Sequence, residues 1–381
     1  MKVLSVFGVE PIRIGGTETF ARELSSQLRQ HGWESVLCFE AEPPADVRQF
    51  LAADNVSLEV LKNVIDLNWP AARGLRQLLK KHRPDILHLH FTGFVGIYPW
   101  LGRLSSVKKI FFTDQTSRPE GYVPQVAPAW KKGLVRLINF PLTKVTCVSN
   151  YGHRCMTELD VLPSNRYEMI YNSVDLSRVA PDEARAAAFR QRYSIPDDRI
   201  VVLQVSWIIP EKGITDLLEA ARLVVAKNPS VHFVFVGEGS YREEYTKAAE
   251  TMGIADHVTW TGLIKDPFAE GVYDVADIVC QVSRWEEVFG WVIAEAMAYE
   301  NPVIGTRVGG IPEVVADQES GYIVDRGDAA AMADRILTLA SDPALRTRMG
   351  QAGARRVEER FNLRSAVHKL IDLYGLNGAP S

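Results

Sequence analysis

Two glutamates and one lysine have types and positions that indicate chemistry. Glu287 and Glu295 are separated by seven residues, and Glu295 lies inside the otherwise apolar run WVIAEAMA. A carboxylate in such a run needs a partner or a ligand, because burying an unpaired charge is costly. Lys212 lies in a loop directly before a predicted helix, where a cation can meet an anionic ligand. A solvated helix face and a solvated loop lysine are the alternatives to a binding site.

Glycine pairs mark three loops, and at the first two of them a ligand can approach the backbone closely. Gly15-Gly16 stands at a turn from strand to helix, the pair Gly237 and Gly239 follows an apolar strand, and Gly309-Gly310 precedes a short helix. The N–H groups of a helix N-terminus suit a phosphate, and a tight turn is the alternative reading of the first two pairs. The first pair lacks the GxGxxG spacing of a dinucleotide fold, which counts against a dehydrogenase.

Strands and helices alternate along the chain, which predicts parallel, doubly wound sheets. The alternation of strands and helices is interrupted over 172–199 and then resumes, so we expect two α/β domains. In such domains, ligands bind at the loops beyond the carboxyl ends of the strands. The predicted helices lie at about 17–31, 70–82, 94–105, 129–139, 213–227, 241–253, 268–274, 290–299, 312–316, 328–340, 343–359 and 364–374, with one more inside 172–199.

Composition excludes several classes of protein. With 381 residues, 46% hydrophobic and 24% charged, the chain is globular, and its net charge of −4 without a basic stripe argues against nucleic-acid binding. The four cysteines, Cys38, Cys147, Cys155 and Cys280, form no CxxC, so we expect reduced, core-filling thiols. No apolar run approaches the length of a membrane span, and the start MKVLSVFGVEP indicates a strand, so the cytoplasm is the expected compartment.

The segment EEVFGWVIAEAMAYENPVIGTRVGGIPEVV resembles the E-x7-E signature of retaining GT-B glycosyltransferases of family 4. Further similarities run along most of the chain: RIGGTETFARELSSQLRQHG, MIYNSVDLSR, VSWIIPEKGITDLLEA and FVGEG. The resemblance implies two Rossmann-like domains facing each other across a cleft. An acceptor-binding domain would cover 1–175, with a C-terminal helix of about 362–381 packing back on it, and a donor-binding domain would cover 195–361.

The resemblance implies a role for individual positions. Glu295 would accept hydrogen bonds from the ribose hydroxyls of a UDP- or GDP-sugar, and Lys212 would face the diphosphate. The remaining donor-site positions implied are Glu287 with the backbone of Val288, Phe289 and Gly290 at the sugar, Gly16 near the diphosphate, and Gly237 and Glu238 near the nucleotide.

The resemblance also implies a mechanism. Front-face attack would retain the anomeric configuration, with fixed donors stabilising charge on the departing diphosphate. The chain contains no Asp-x-Asp, which favours metal independence, and no cofactor beyond the donor substrate is expected.

The sequence departs from the family pattern at two site positions. Trp207 replaces an arginine that usually clamps the diphosphate, and Arg284 is a compensating cation in one interpretation. Gln115, beside Asp114, stands where a histidine is common, and it is our predicted catalytic substitute. His90 is a cleft candidate together with Gly15, although a structural histidine is the alternative.

The partners that we expect are the donor and a glycan, lipid-linked or small-molecule acceptor. The segment 128–140 predicts a basic amphipathic helix, which either binds peripherally to the inner face of a membrane or packs on the sheet. Two other functions stay open: a catalytically impaired nucleotide-sugar-binding protein, suggested by Trp207 and Gln115, and a sugar-nucleotide epimerase.

Overall fold

The computed structural model describes residues 1–65 and 68–375, which form two compact units. The N-terminal unit contains Met1–Thr116, Val123–Asn172 and the described residues from Leu363 onward. The C-terminal unit contains Ser117–Tyr122 and Ser173–Asn362.

The N-terminal unit is built on a seven-stranded parallel sheet in the order β3-β2-β1-β4-β5-β6-β7. Its strands are β1 (Lys2–Phe7), β2 (Glu34–Phe39), β3 (Val56–Val60), β4 (Ile86–His90), β5 (Lys109–Asp114), β6 (Lys144–Cys147) and β7 (Tyr167–Met169). Its helices are α1 (Gly16–Gln30), α2 (Ala45–Leu51), α3 (Trp69–His82), α4 (Tyr98–Leu104), α5 (Ala129–Asn139), α6 (Asn150–Glu158) and α14 (Leu363–Tyr374).

The last helix belongs to this sheet's core. Leu363, Val367, Leu370, Ile371 and Tyr374 recur at helical spacing on α14, so they form one apolar face. That face is buried in a cluster with residues of α1, of the sheet and of the connection between α1 and β2: Val3, Leu24, Leu28, Trp33, Ile86 and Phe111. The hydroxyl of Tyr374 also lies 2.5 Å from Nδ1 of the buried His88.

The C-terminal unit repeats the architecture with a six-stranded parallel sheet in the order β10-β9-β8-β11-β12-β13. Its strands are β8 (Ile200–Val205), β9 (Val231–Val236), β10 (Val258–Gly262), β11 (Ile278–Gln281), β12 (Val303–Thr306) and β13 (Gly321–Val324). Its helices are α7 (Glu183–Arg192), α8 (Ile214–Val225), α9 (Arg242–Thr251), α10 (Trp291–Ala298), α11 (Ile311–Val314), α12 (Ala329–Ser341) and α13 (Pro343–Arg360).

The alternation of strands and helices is confirmed, and one predicted helix is wrong. Residues 268–274 form turns, with Gly271 at φ +78° and separate bonds from Glu270 N to Asp266 O and from Val272 N to Pro267 O. The left-handed residue interrupts the helical path. The short elements α2, β3, α6 and β7 were not predicted, and the part of the predicted C-terminal helix beyond residue 375 lies outside the described residues.

All four cysteines are buried and none of them forms a disulfide, as expected of core-filling thiols. Across residues 1–65 and 68–375, no helix has the length and apolar character that crossing a bilayer requires.

Candidate donor site and its family

The predicted donor-site residues of the C-terminal unit gather at the carboxyl edge of its sheet. The strand order reverses direction between β8 and β11, and ligands of open α/β sheets bind at such switch points. Lys212 follows β8 and Glu287 follows β11, so the topology brings them to this point from 75 residues apart. Lys212 Nζ and Glu287 Oε1 are 2.5 Å apart.

The carboxylate of Glu287 is buried, with only 7% of the residue exposed, and is closely surrounded by donors. Besides Lys212, Oε1 accepts hydrogen bonds from Ser283 Oγ at 2.7 Å and from Trp285 Nε1 at 2.9 Å. Oε2 accepts a hydrogen bond from Ser117 Oγ at 3.1 Å. Lys212 Nζ also lies 4.6 Å from the centre of the Trp285 ring, which adds a cation–π contact.

These donors determine the charge of Glu287. Burial on its own raises the pKa of a carboxyl group, but the positive charge of Lys212 opposes it, as do the hydrogen bonds from Lys212, Ser283 and Trp285. The net result is a pKa of Glu287 below its usual value. Glu287 is therefore an ionised hydrogen-bond acceptor at neutral pH rather than a general acid.

Two glycines allow the backbone to hold this geometry. Gly213, directly after Lys212, has φ +69°, and a Cβ there would stand 1.9 Å from Val282 O. Gly309 has φ +51°, and its Cβ would stand 1.9 Å from Glu287 O. A side chain at either position would separate loops that must touch, so glycine is required at both.

The second glutamate lies on α10, whose start is formed by the predicted segment Val288, Phe289 and Gly290. Val288 and Phe289 are buried, and Phe289 packs edge-on against Phe361 with ring centres 5.4 Å apart. Glu295 is half-buried, and its Oε2 accepts a hydrogen bond from Tyr273 OH at 2.5 Å. The carboxylate in the apolar run thus has the partner that its surroundings require.

The other predicted residues of this unit lie at neighbouring loops. Trp207 is 48% exposed after β8, and Gly237 after β9 lies against the Ser206 backbone. Glu238 pairs with Arg242 at 2.8 Å. Arg284, the proposed compensating cation, makes two hydrogen bonds to Asp216, at 2.8 and 2.7 Å. Its guanidinium group is therefore committed to a carboxylate, and its part in anion binding stays a prediction.

Gly15 and Gly16 lie where the N-terminal unit's own strand order reverses, after β1. Gly15 caps α1, and its N–H donates to Glu18 Oε2 at 3.0 Å. Burial raises the pKa of Glu18 above its usual value, although backbone hydrogen bonds and Arg13 oppose the shift. A carboxylate thus occupies one of the N–H groups predicted to face a phosphate, and the role of Gly16 stays a prediction.

The polar side chains after β4 and β5 are also in the N-terminal unit. Asp114 is buried at the end of β5, and Gln115 Nε2 lies 3.4 Å from Asn172 Oδ1. His90 is buried and stacks on Phe7 and His88, with ring centres 4.6 and 3.9 Å apart. Burial lowers the pKa of His90 to about 3, so its ring is neutral at physiological pH. The role of His90 in ligand binding stays a prediction.

Several side chains that hold the two glutamates were not predicted from the sequence. Ser283 and Trp285 bind Glu287 from its own loop, and their alternate spacing with Glu287 was the signal that could have identified them. Ser117 and Tyr273 are distant in sequence and gave no signal. The neighbouring Glu286 was missed as well: it pairs with Arg326 and accepts the Gly309 N–H at 2.7 Å.

Among the described residues, no group of three or more His, Cys, Asp or Glu side chains is placed to hold a metal ion.

The fold and this site define a class of protein. The model for "Glycosyl transferases group 1" matches residues 186–356, and the model for "Glycosyltransferase Family 4" matches residues 14–178. The structure of Anabaena Alr3699/HepE in complex with UDP and glucose superposes with a TM-score of 0.79 at 17% identity, covering 98% of this chain and 99% of that one. The fold is thus the two-domain α/β fold of the GT-B glycosyltransferases.

Named relatives agree with the family models. The chain is 33% identical to alpha-D-kanosaminyltransferase of Streptomyces kanamyceticus over 56% of this chain and 55% of that protein. It is 26% identical to N-acetyl-alpha-D-glucosaminyl L-malate synthase of Bacillus anthracis over 95% of this chain and 94% of that protein. The chain thus spans about half of the first relative and nearly all of the second. It belongs to glycosyltransferase family 4.

Proposed function

We propose that the protein transfers a sugar from a UDP- or GDP-sugar to a hydroxyl group of a glycan, lipid-linked or small-molecule acceptor. The transfer retains the anomeric configuration and needs no metal ion. The observation that carries this proposal is the contact between Lys212 and Glu287 at the switch point, with Glu295 eight residues further on the adjoining helix. Peripheral membrane association through residues 128–140 is part of the proposal.

Lys212 is proposed to bind the diphosphate. An ammonium group has three N–H donors, so Nζ can keep its hydrogen bond to Glu287 and still donate to phosphate oxygens. Its charge then stabilises the negative charge that builds on the leaving diphosphate. Removing a fixed donor of this kind typically lowers kcat by roughly 100- to 1000-fold.

The two glutamates are proposed to bind hydroxyl groups. A carboxylate offers about four acceptor positions. Among the described residues, Oε2 of Glu287 accepts one hydrogen bond, from Ser117, so it has capacity for a hydroxyl of the donor sugar. Glu295 Oε2, oriented by Tyr273, would accept from the ribose. Both act as acceptors, which fits the lowered pKa of Glu287.

Nucleotide binding tests the site. We expect UDP or GDP to raise the melting temperature, because a ligand well above its Kd stabilises the folded state. Glu295→Gln should weaken this binding by roughly 10- to 100-fold, since a hydrogen bond to a charged group contributes about 1.5–3 kcal/mol. Glu243→Gln, an exposed glutamate on α9, is the control. Equal affinity in both variants would refute the assignment of Glu295.

Turnover of the donor tests the reaction. NMR of the released or transferred sugar should show the anomeric configuration of the donor, and activity should survive EDTA. Binding without turnover across a broad acceptor panel would favour the impaired binding protein suggested by Trp207 and Gln115. Interconversion of the sugar nucleotide without acceptor would indicate an epimerase, which the names of the relatives do not favour.

A further inference from the structure

Three helices of the N-terminal unit form a surface without acidic side chains. α3, α4 and α5 together carry eight Lys and Arg residues and no Asp or Glu. α4 contacts both α3 and α5, so the three helices are continuous, and we call them the α3–α5 surface. The whole chain has a net charge of −4, so this surface is opposite in sign to the molecule as a whole.

Most of these cations face solvent without a counter-charge. Three have partners: Lys81 pairs with Glu59, and Lys132 and Arg136 pair with Asp160. For the other five, no ion pair with a described carboxylate exists, and all five are exposed: Arg73, Arg76, Lys80, Arg103 and Lys131. Arg73, Arg76 and Lys80 recur at helical spacing, so they share one face of α3.

Large apolar side chains are exposed among these cations. Trp69 is 81% exposed on α3, Leu104 is 78% exposed on α4, and Trp130 is 73% exposed on α5. Leu134 and Leu137 continue the line of Trp130 at helical spacing, and both are exposed. Single exposed apolar residues are ordinary, but a run of them on adjoining helices marks an interaction surface.

A groove of about 610 Å³ lies within this surface. It is lined by residues of α3 and α4 and of the loop before α4, among them Trp69, Arg73, Arg76, Gln77, Ile97 and Leu101. Guanidinium groups bind phosphate oxygens, and the remaining lining is largely apolar. A phospholipid offers both chemistries in one molecule, with a phosphate joined to hydrocarbon.

We propose that the α3–α5 surface binds an anionic lipid bilayer. Trp69 and Trp130 lie at the interface, and Arg73 and Arg76 bind headgroup phosphates, as basic amphipathic helices do. A second copy of the chain is a poor partner, because like charges would face each other. A nucleic acid would contact the cations but would leave the exposed side chains of Leu104 and Leu137 without an apolar partner. This deepens the membrane association proposed above, and its test reads binding rather than sugar transfer, so it can fail without the transferase proposal.

The test is co-sedimentation of the full chain with phosphatidylcholine vesicles that contain either no anionic lipid or about 30% phosphatidylglycerol. We expect binding to the anionic vesicles and its loss as salt screens the charges. Each cation near such a surface is worth roughly a fivefold change in partitioning, so Arg73→Glu, Arg76→Glu and Lys131→Glu together should lower it at least about 100-fold.

The matched control reverses three exposed cations of the C-terminal unit, by Lys227→Glu, Lys247→Glu and Arg355→Glu. It should bind vesicles nearly as the natural protein does. Trp130→Ala with Leu137→Ala should also weaken binding, because the apolar contact is lost. Equal partitioning of the two charge-reversed variants would overturn the proposal. So would dimerisation without lipid that the first variant abolishes, since a second copy would then occupy the surface.

Discussion

Replacing Lys212 by methionine should destabilise the C-terminal unit at neutral pH through Glu287. The methionine keeps most of the side-chain volume but leaves the buried carboxylate without its cation. Breaking a buried ion pair from one side typically costs about 3–5 kcal/mol. Because Ser283, Trp285 and Ser117 still donate to Glu287, we expect about 3 kcal/mol, the lower end.

The pH dependence of the loss identifies its cause. In the natural protein the pKa of Glu287 is below its unfolded value, so its stabilising contribution is present above about pH 4.3 and is lost as pH falls through the folded pKa. Without Lys212, burial is expected to raise the pKa of Glu287 above that value. The charged form is then destabilising at pH 7, and the gap between variant and natural protein should narrow as pH falls.

The assay is thermal unfolding by circular dichroism between neutral and mildly acidic pH, compared with Lys227→Met, an exposed lysine of the same unit. A loss of about 3 kcal/mol corresponds to roughly 6–12 °C for a unit of this size. Lys212→Met combined with Glu287→Gln should recover part of the loss, since no unpaired ion remains. A shift at pH 7 no larger than that of Lys227→Met, or a gap that ignores pH, would refute this reasoning.

Three further predictions concern other parts of the chain. Gly309→Ala should lower the melting temperature and the nucleotide affinity, because the added Cβ would meet Glu287 O. The control is Gly327→Ala: Gly327 has φ +76° and no described backbone atom within 4 Å, so the substitution should cost only about 1–2 kcal/mol of strain. The free energy of unfolding should rise with pH up to about 6.5, by about 1.4 kcal/mol per pH unit for each buried neutral histidine, because burial lowers the pKa values of His88 and His90. His90→Phe should reduce that slope in urea titrations, and an unchanged slope would contradict the prediction. Tyr273→Phe should weaken UDP or GDP binding about 10-fold, because it removes a hydrogen bond that orients Glu295. Tyr241→Phe should leave the calorimetric affinity unchanged, and equal affinities of the two variants would show that Tyr273 does not orient Glu295.

The fold was predictable because its signals are local. Alternation of apolar strands with amphipathic helices determines a parallel doubly wound sheet, and that topology brings loops after distant strands to one edge. Lys212 and Glu287 were each recognised from the pattern of their own loop, and the topology then brings the two loops together. The residues around 268–274 were less predictable, because a helix-like apolar spacing competes there with the left-handed Gly271, whose Cβ would contact Arg185.

The donors around Glu287 divide into those with a sequence signal and those without. Ser283 and Trp285 lie four and two residues before Glu287, so a spacing of two along the sequence was a signal that could have placed them on its side. Ser117 lies 170 residues away and reaches Glu287 only through tertiary structure. No local pattern in the sequence indicates such a contact. The contacts of Glu287 within its own loop were therefore predictable, and its contact with Ser117 was not.

The two glutamates of the E-x7-E segment are alike in sequence but differ in what keeps them in place. Glu287 is balanced by a buried cation, whereas Glu295 accepts a hydrogen bond from the neutral hydroxyl of Tyr273. Glu287→Gln therefore leaves Lys212 without its carboxylate and should affect folding as well as ligand binding. Glu295→Gln exchanges one acceptor oxygen for an amide in a half-buried position and should affect mainly binding. The first glutamate thus couples the stability of the site to its own charge, whereas substitution of the second is expected to read out mainly on ligand binding.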